Sequence, residues 1–229
     1  MTTPQTTRRL SSRLVPGLVL ALVATLAAFA PVESLSAAPQ PSIVPKRWQL
    51  DFRPGDLRLV TLEVETVVAT PGGGQKTVAR PQTFLYFTYE VVNNSGDDLL
   101  FAPSFELATA EGEVRRSGRG VPTEVVAELL DRLRNDFLED EISVIRTLEQ
   151  GVEHAREGLV VWPAEELKTD ELKIFAKGFS GETKRIARPD TGEQVTLYKV
   201  MMLRYETPGD LPAFETRPIP RAQEQWILR

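Results

Sequence analysis

No cysteine occurs anywhere in the 229 residues, and histidine occurs once, as His154. The first absence excludes disulfides, a thiol nucleophile, a lipidated cysteine and any zinc site built on thiolates, so stability must come from packing. The second excludes a site with two histidine ligands. A Ser-His-Asp triad around His154 would need a serine elbow. The nearest approach, Gly178-Phe179-Ser180-Gly181, brings its second glycine one residue too early for G-x-S-x-G.

Other chemistry is missing in the same way. Gly72-Gly73-Gly74-Gln75-Lys76-Thr77 places Gln75 between glycine and lysine and is followed by Pro81, so it reads as a glycine-rich hairpin loop and not as a phosphate loop. Asp97-Asp98 and the group Asp136, Glu139, Asp140 and Glu141 lack the spaced frame of a calcium loop; a turn and a solvated helix end account for them. No cofactor and no metal is expected. The acids leave open a carboxylate-dependent hydrolase, whose two groups must converge in space at a separation that sequence does not set. Basic charge is also in short supply, with 27 Lys and Arg against 32 Asp and Glu, a net charge of −5. That balance argues against nucleic acid as a partner.

What is present begins at the N-terminus. Arg8, Arg9 and Arg13, with no acid among them, lead into an uncharged run from Leu14 to Val32. Ser34, Ser36 and Ala37 then supply the small residues that precede a cut, so residues 1–37 read as a signal peptide. The run is 19 residues long, within the roughly 17–25 that cross a bilayer, so a retained membrane anchor is the alternative. Without residues 1–37 the net charge becomes −7. Residues 38–46, with Pro39, Pro41 and Pro45, read as a flexible linker, and residues 47–229 as one domain.

Within that domain large side chains alternate. Trp48, Leu50 and Phe52 form one such set, broken at Pro54-Gly55-Asp56, and Val60, Leu62 and Val64 form the next. Phe84 to Val92 is apolar on both parities, the mark of a strand near the middle of a sheet. Asn93 to Asp98 is turn chemistry leading into Leu99, Phe101, Phe105 and Leu107, which reads as a hairpin bent at Pro103. Further strands are expected around 143–148, 159–162, 172–176, 195–206 and 225–228. Only Val121, Val125, Leu129, Leu133 and Phe137 repeat at helical spacing, predicting one amphipathic helix over about 122–135. The fold class is therefore mainly β: an immunoglobulin-like antiparallel β-sandwich with one inserted helix. Trp48, Trp162 and Trp226 fall on apolar faces and belong to its core.

Tyr89-Glu-Val-Val-Asn-Asn-Ser-Gly-Asp-Asp98, Asp170-x-Leu172-x-Ile174-x-x-x-Gly178 and the terminal Trp226-Ile227-Leu228-Arg229 resemble an uncharacterised group of exported bacterial domains. The resemblance implies an immunoglobulin-like fold and an address outside the cytoplasm, periplasmic or extracellular. It transfers no catalytic residue. Together these readings lead to an exported, non-catalytic binding or scaffolding module of the cell envelope, with an envelope protein or a glycan as its partner. The alternatives are the carboxylate-dependent hydrolase and a membrane-anchored subunit of an envelope complex. One candidate surface stands out: Arg115, Arg116 and Arg119 in one loop and Lys184, Arg185 and Arg188 in another would form an anion-binding patch if folding brings them together.

Overall fold

The two-sided apolar stretch from Phe84 to Val92 fixes the architecture, because a strand buried on both faces needs a layer on each side. The computed structural model describes residues 39–44, 47–165, 167, 169–208 and 211–229. The expected signal peptide, residues 1–37, lies outside the described residues. The chain forms β1 (Asp51–Ala69), β2 (Gln75–Asn93), β3 (Leu99–Phe101), β4 (Ser104–Thr109) and β5 (Val114–Arg116) before helix α1 (Thr123–Leu133). Then come β6 (Leu138–Glu139), β7 (Arg146–Leu148), β8 (Gly151–Pro163), β9 (Glu171–Lys177), β10 (Thr183–Ala187), β11 (Gln194–Glu206) and β12 (Arg221–Leu228). Among the described residues no helix is long and apolar enough to cross a membrane.

Among the described residues the strands make two packed sheets, an antiparallel β-sandwich carrying one α-helix. The first sheet has the order β1-β2-β8-β6, and only β6 runs parallel to its neighbour. The second has the order β10-β11-β9-β4-β5, with β12 also paired to β11. β3 and β7 form a separate small ribbon. Alternation decides which side chain goes where. Leu85, Phe87, Tyr89 and Val91 of β2 join Val160 and Trp162 of β8 against Leu107, Ile174 and Leu203 of the second sheet, forming the main core. The opposite parity, Leu62, Val64, Phe84, Leu159 and Val161, packs under Val125 and Leu129 of α1 as a second core. The first sheet is thus the middle of three layers. Trp162 is fully buried, and Trp48 and Trp226 pack against the main core.

Helix α1 is shorter than its apolar stripe. Pro122, extended at φ −62 and ψ 146, opens it, and Arg134 ends it by turning left-handed at φ 48. Phe137, the last residue of the stripe, therefore lies beyond the helix and is 77% exposed.

Two local expectations are corrected by long-range pairing. Pro54-Gly55-Asp56 does not separate two strands: β1 runs through it, with a register shift between Pro54 and Leu57. Gly55 is required there, since a Cβ would come within 2.5 Å of the Thr88 hydroxyl oxygen. Nor do residues 84–92 and 99–107 form a hairpin. β2 pairs with β1 and β8, while the chain after Asn93 crosses to β3 and then to the second sheet. The crossing hangs on Asn93, which is fully buried. Its Nδ2 donates to the carbonyls of Asp97 (2.9 Å) and Leu148 (2.7 Å), and its Oδ1 accepts from the Ser95 amide and hydroxyl. An asparagine committed in this way locks the corner and is closed to glycosylation in the folded chain.

Candidate functional site

Helix α1 covers only part of the outer face of the first sheet and leaves a groove on each side. The first, about 440 Å³, lies between α1 and the turn at residues 140–143. Val121, Val126 and Leu130 form one wall and Leu159 and Val161 the floor, while Asp140, Glu141, Ile142 and Ser143 form the other wall. Ile142 is 81% exposed at the lip. The groove exists because β6 ends at Glu139: past Gly158, the edge of β8 has no strand beside it among the described residues, and the Gly118 amide takes over by donating to the Val161 carbonyl (2.9 Å).

The two acids of this groove have opposite environments. Asp140 is spent on its own turn: Oδ1 accepts the amides of Ile142 (2.7 Å) and Ser143 (2.8 Å), and Oδ2 accepts the Ser143 hydroxyl (2.8 Å). Burial acts to raise its pKa, but these bonds outweigh it and hold the carboxyl below the usual aspartate value. Glu141 points inward. Burial pushes its pKa up, and the Ser117 hydroxyl (3.0 Å to Oε2), the Val161 amide and Arg116 only partly oppose that. Its Oε1 is buried without a hydrogen bond.

A pH-dependent stability follows. Folded Glu141 keeps its proton to higher pH than in the unfolded chain, so its ionised form costs stability above the raised pKa; below the ordinary value of 4.5 it costs none. Glu141→Gln is expected to raise the melting temperature at pH 7, with the gain disappearing as the pH falls to about 4. Thermal unfolding at the two pH values checks this, and an equal effect at both contradicts it.

The six basic residues do not come together. β5 and β10 stand at the two ends of the strand order in the second sheet. Arg116 faces Glu106, Glu106 faces Phe175 and Phe175 faces Met202, whereas Lys184 faces Leu197, five residues back along β11. At about 3.3 Å per residue and 4.8 Å per strand, the two groups are on the order of 20 Å apart. Arg115 is also engaged: it bonds Glu113 (2.6 Å) and the carbonyls of Pro163 (2.9 Å) and Glu165 (3.2 Å), clasping the end of β8. Arg188 lies 3.9 Å from Glu193. Arg119 sits exposed in the turn between Gly118 and Gly120.

The remaining candidates have structural tasks. His154, on the exposed start of β8, pairs with Glu149 at 3.1 Å. Ser180 is buried, donating to the Trp48 carbonyl and accepting the Glu182 amide. Glu139 pairs with Arg146 (2.7 Å), and Asp98 accepts the Gln150 amide (3.2 Å). Gly72 and Gly73, at φ 118 and 84, form the tip of the β1–β2 hairpin. Among the described residues no group of three His, Cys, Asp or Glu side chains is arranged to hold a metal ion.

Three features escaped the sequence reading: the depth of Glu141, the free backbone edge of β1, and a buried pair, Lys199 with Glu182 (3.1 Å), both side chains about 5% exposed or less. Lys199 had a signal. It shares the parity of Leu197, Met201 and Leu203, so the alternation that predicts the strand also turns this lysine inward. Comparison of the chain with protein-family models, with curated proteins and with solved structures finds no match to any of them.

Proposed function

We propose that the chain is an exported, non-catalytic binding module of the cell envelope, periplasmic or extracellular, which takes an apolar segment of an envelope protein into the groove between α1 and residues 140–143. The observation that carries the binding half is the groove: an apolar floor and wall, with Ile142 held out at the rim instead of being folded away. The N-terminal pattern of arginines, apolar run and small residues supports export. An immunoglobulin-like ancestry belongs to the same proposal and rests on the resemblance in the sequence. A protein partner suits an apolar groove better than a glycan does, since sugars present hydroxyls that such a floor leaves unpaired.

A second reading has one observation in its favour. Asp140 and Glu141, adjacent acids in one groove, have pKa values pushed in opposite directions, as a carboxylate hydrolase requires of its base and acid. It ranks lower because both oxygens of Asp140 already accept hydrogen bonds from its own turn, leaving it poorly placed to work on a substrate.

Mass spectrometry of the protein isolated from its own cells tests export. A mature N-terminus at Ala37 or Ala38 in the envelope or medium supports it; an intact Met1 in the cytoplasm overturns it. Hydrolysis of envelope glycan or peptide that Glu141→Gln abolishes would replace the binding reading with the enzymatic one.

A further inference from the structure

The second groove beside α1 runs along the outer edge of the first sheet, where β1 has no neighbouring strand among the described residues. From this edge we infer a function separate from the groove at residues 140–143: the stretch Thr61–Ala69 of β1 is a strand-addition site for an extended, lysine- and arginine-rich segment of a partner protein.

The direction of the free backbone groups follows from one hydrogen bond. The Leu57 carbonyl accepts the Ile219 amide (2.9 Å) on the side away from β2. From Leu57 to Ala69 the register against β2 is unbroken, so every second residue points the same way. Thr61, Glu63, Glu65, Val67 and Ala69 therefore turn both N–H and C=O outward, and among the described residues no backbone group bonds to them from that side. All five are exposed. A row of this kind is a template for another strand unless it is blocked.

The two edges of the β1–β2 hairpin are treated differently. On β2 the Thr83 carbonyl accepts the Ala164 amide, which marks the outward-facing parity; the next outward residue is Pro81, which has no N–H to offer. That edge is blocked. Between Leu57 and Ala69, β1 has no proline, no lysine and no bulge.

Charge selects the occupant. The groove beside the β1 edge, about 420 Å³, is lined by Thr61, Leu62, Glu63, Glu124, Val125 and Glu128, with Arg132 at one end. Arg132 is already tied to Glu128 through its Nε (2.7 Å). Glu65 lies farther along the strand, and at its start Glu215 accepts the Thr61 hydroxyl (2.9 Å). An added strand would place alternate side chains over Leu62 and Val125 and would meet acids on both of its faces. Basic residues satisfy those acids. A second copy paired through its own β1 would set Glu63 and Glu65 against their equivalents or close to them, which disfavours self-association.

The test uses the full chain and a labelled nine-residue peptide alternating lysine with valine, set against its glutamate–valine counterpart. Fluorescence anisotropy should show the lysine peptide binding at least ten-fold more tightly, and amide exchange should slow at Glu63, Glu65 and Val67 when it is bound. Val67→Pro removes one outward N–H and none from the β1–β2 ladder, so it should weaken binding about ten-fold with an unchanged circular dichroism spectrum. If that variant misfolds, Glu63→Lys with Glu65→Lys carries the test and should reverse the preference between the two peptides. Equal affinity for both peptides overturns the proposal, as do exchange protection that maps elsewhere, unweakened binding by a folded Val67→Pro chain, or a dimer formed through this edge without peptide.

Discussion

Lys199→Met is expected to cost about 3–5 kcal/mol of folding free energy, a large part of what holds an ordinary domain together. Lys199 stands on the inner face of β11, its Nζ 3.1 Å from Glu182 Oε2 and 5.4 Å from the centre of the Trp226 ring. Glu182 also accepts the Ser42 amide at 2.7 Å, so the pair ties the first described residues of the chain to the second sheet. Removing the cation takes away the ammonium that the buried Glu182 carboxylate faces at 3.1 Å, and breaking such a pair costs more than the pair contributed while intact. Lys199→Met combined with Glu182→Gln should recover most of the loss, because glutamine is neutral and keeps an acceptor for Ser42. Urea unfolding followed by tryptophan fluorescence measures both. A loss below about 1 kcal/mol for the single variant would contradict this account and show that the Glu182 carboxylate is compensated without Lys199.

Gly158→Ala should cost about 3 kcal/mol although it adds a single methyl group. Gly158 lies opposite Tyr89 in the ladder between β8 and β2, and the Tyr89 ring lies across it: a Cβ would clash with the ring's hydroxyl end, at Cζ, Cε1 and Oη. The ring has nowhere to go. Its centroid is 5.0 Å from that of Phe105, 5.6 Å from Phe179 and 5.8 Å from Phe52, and the residue is 3% exposed. In a Tyr89→Ala background the same change should be neutral or slightly stabilising, since alanine suits a strand better than glycine. Purely additive costs in the double-mutant cycle would contradict the steric account.

What the sequence reveals here is what local periodicity can encode. The alternation from Leu85 to Val91 places those side chains in the main core, and the opposite parity at Phe84 faces α1. The helical spacing of Val125 and Leu129 places α1 on that face. Partners across the fold are not encoded locally. Asn93 to Asp98 has turn chemistry whether the chain folds back on itself or crosses to another sheet, and the choice is made by Leu148, whose carbonyl Asn93 reaches. The charged stretch before Leu159 hides the first half of β8, because those residues lie where the strand is poorly covered. Likewise Arg115 looks like a free charge in sequence, and only the end of β8 shows that it is a clasp.

The candidate site was less legible than the fold. Asp140 and Glu141 look like two equivalent acids at a helix end, and only the turn at Ser143 and the burial against Ser117 separate them. The edge of β1 could not be recognised at all without knowing which strand lacks a neighbour.

Whether the face carrying α1 binds a partner can be read by placing a photo-crosslinking amino acid at Ala127, an exposed wall residue of the α1 groove, in cells that make the protein. A control position is Gln223, exposed on β12 of the other sheet. A binding surface on this face gives a discrete protein adduct from position 127 that position 223 does not give. The same adducts from both positions, or none from 127 while 223 gives one, would contradict it.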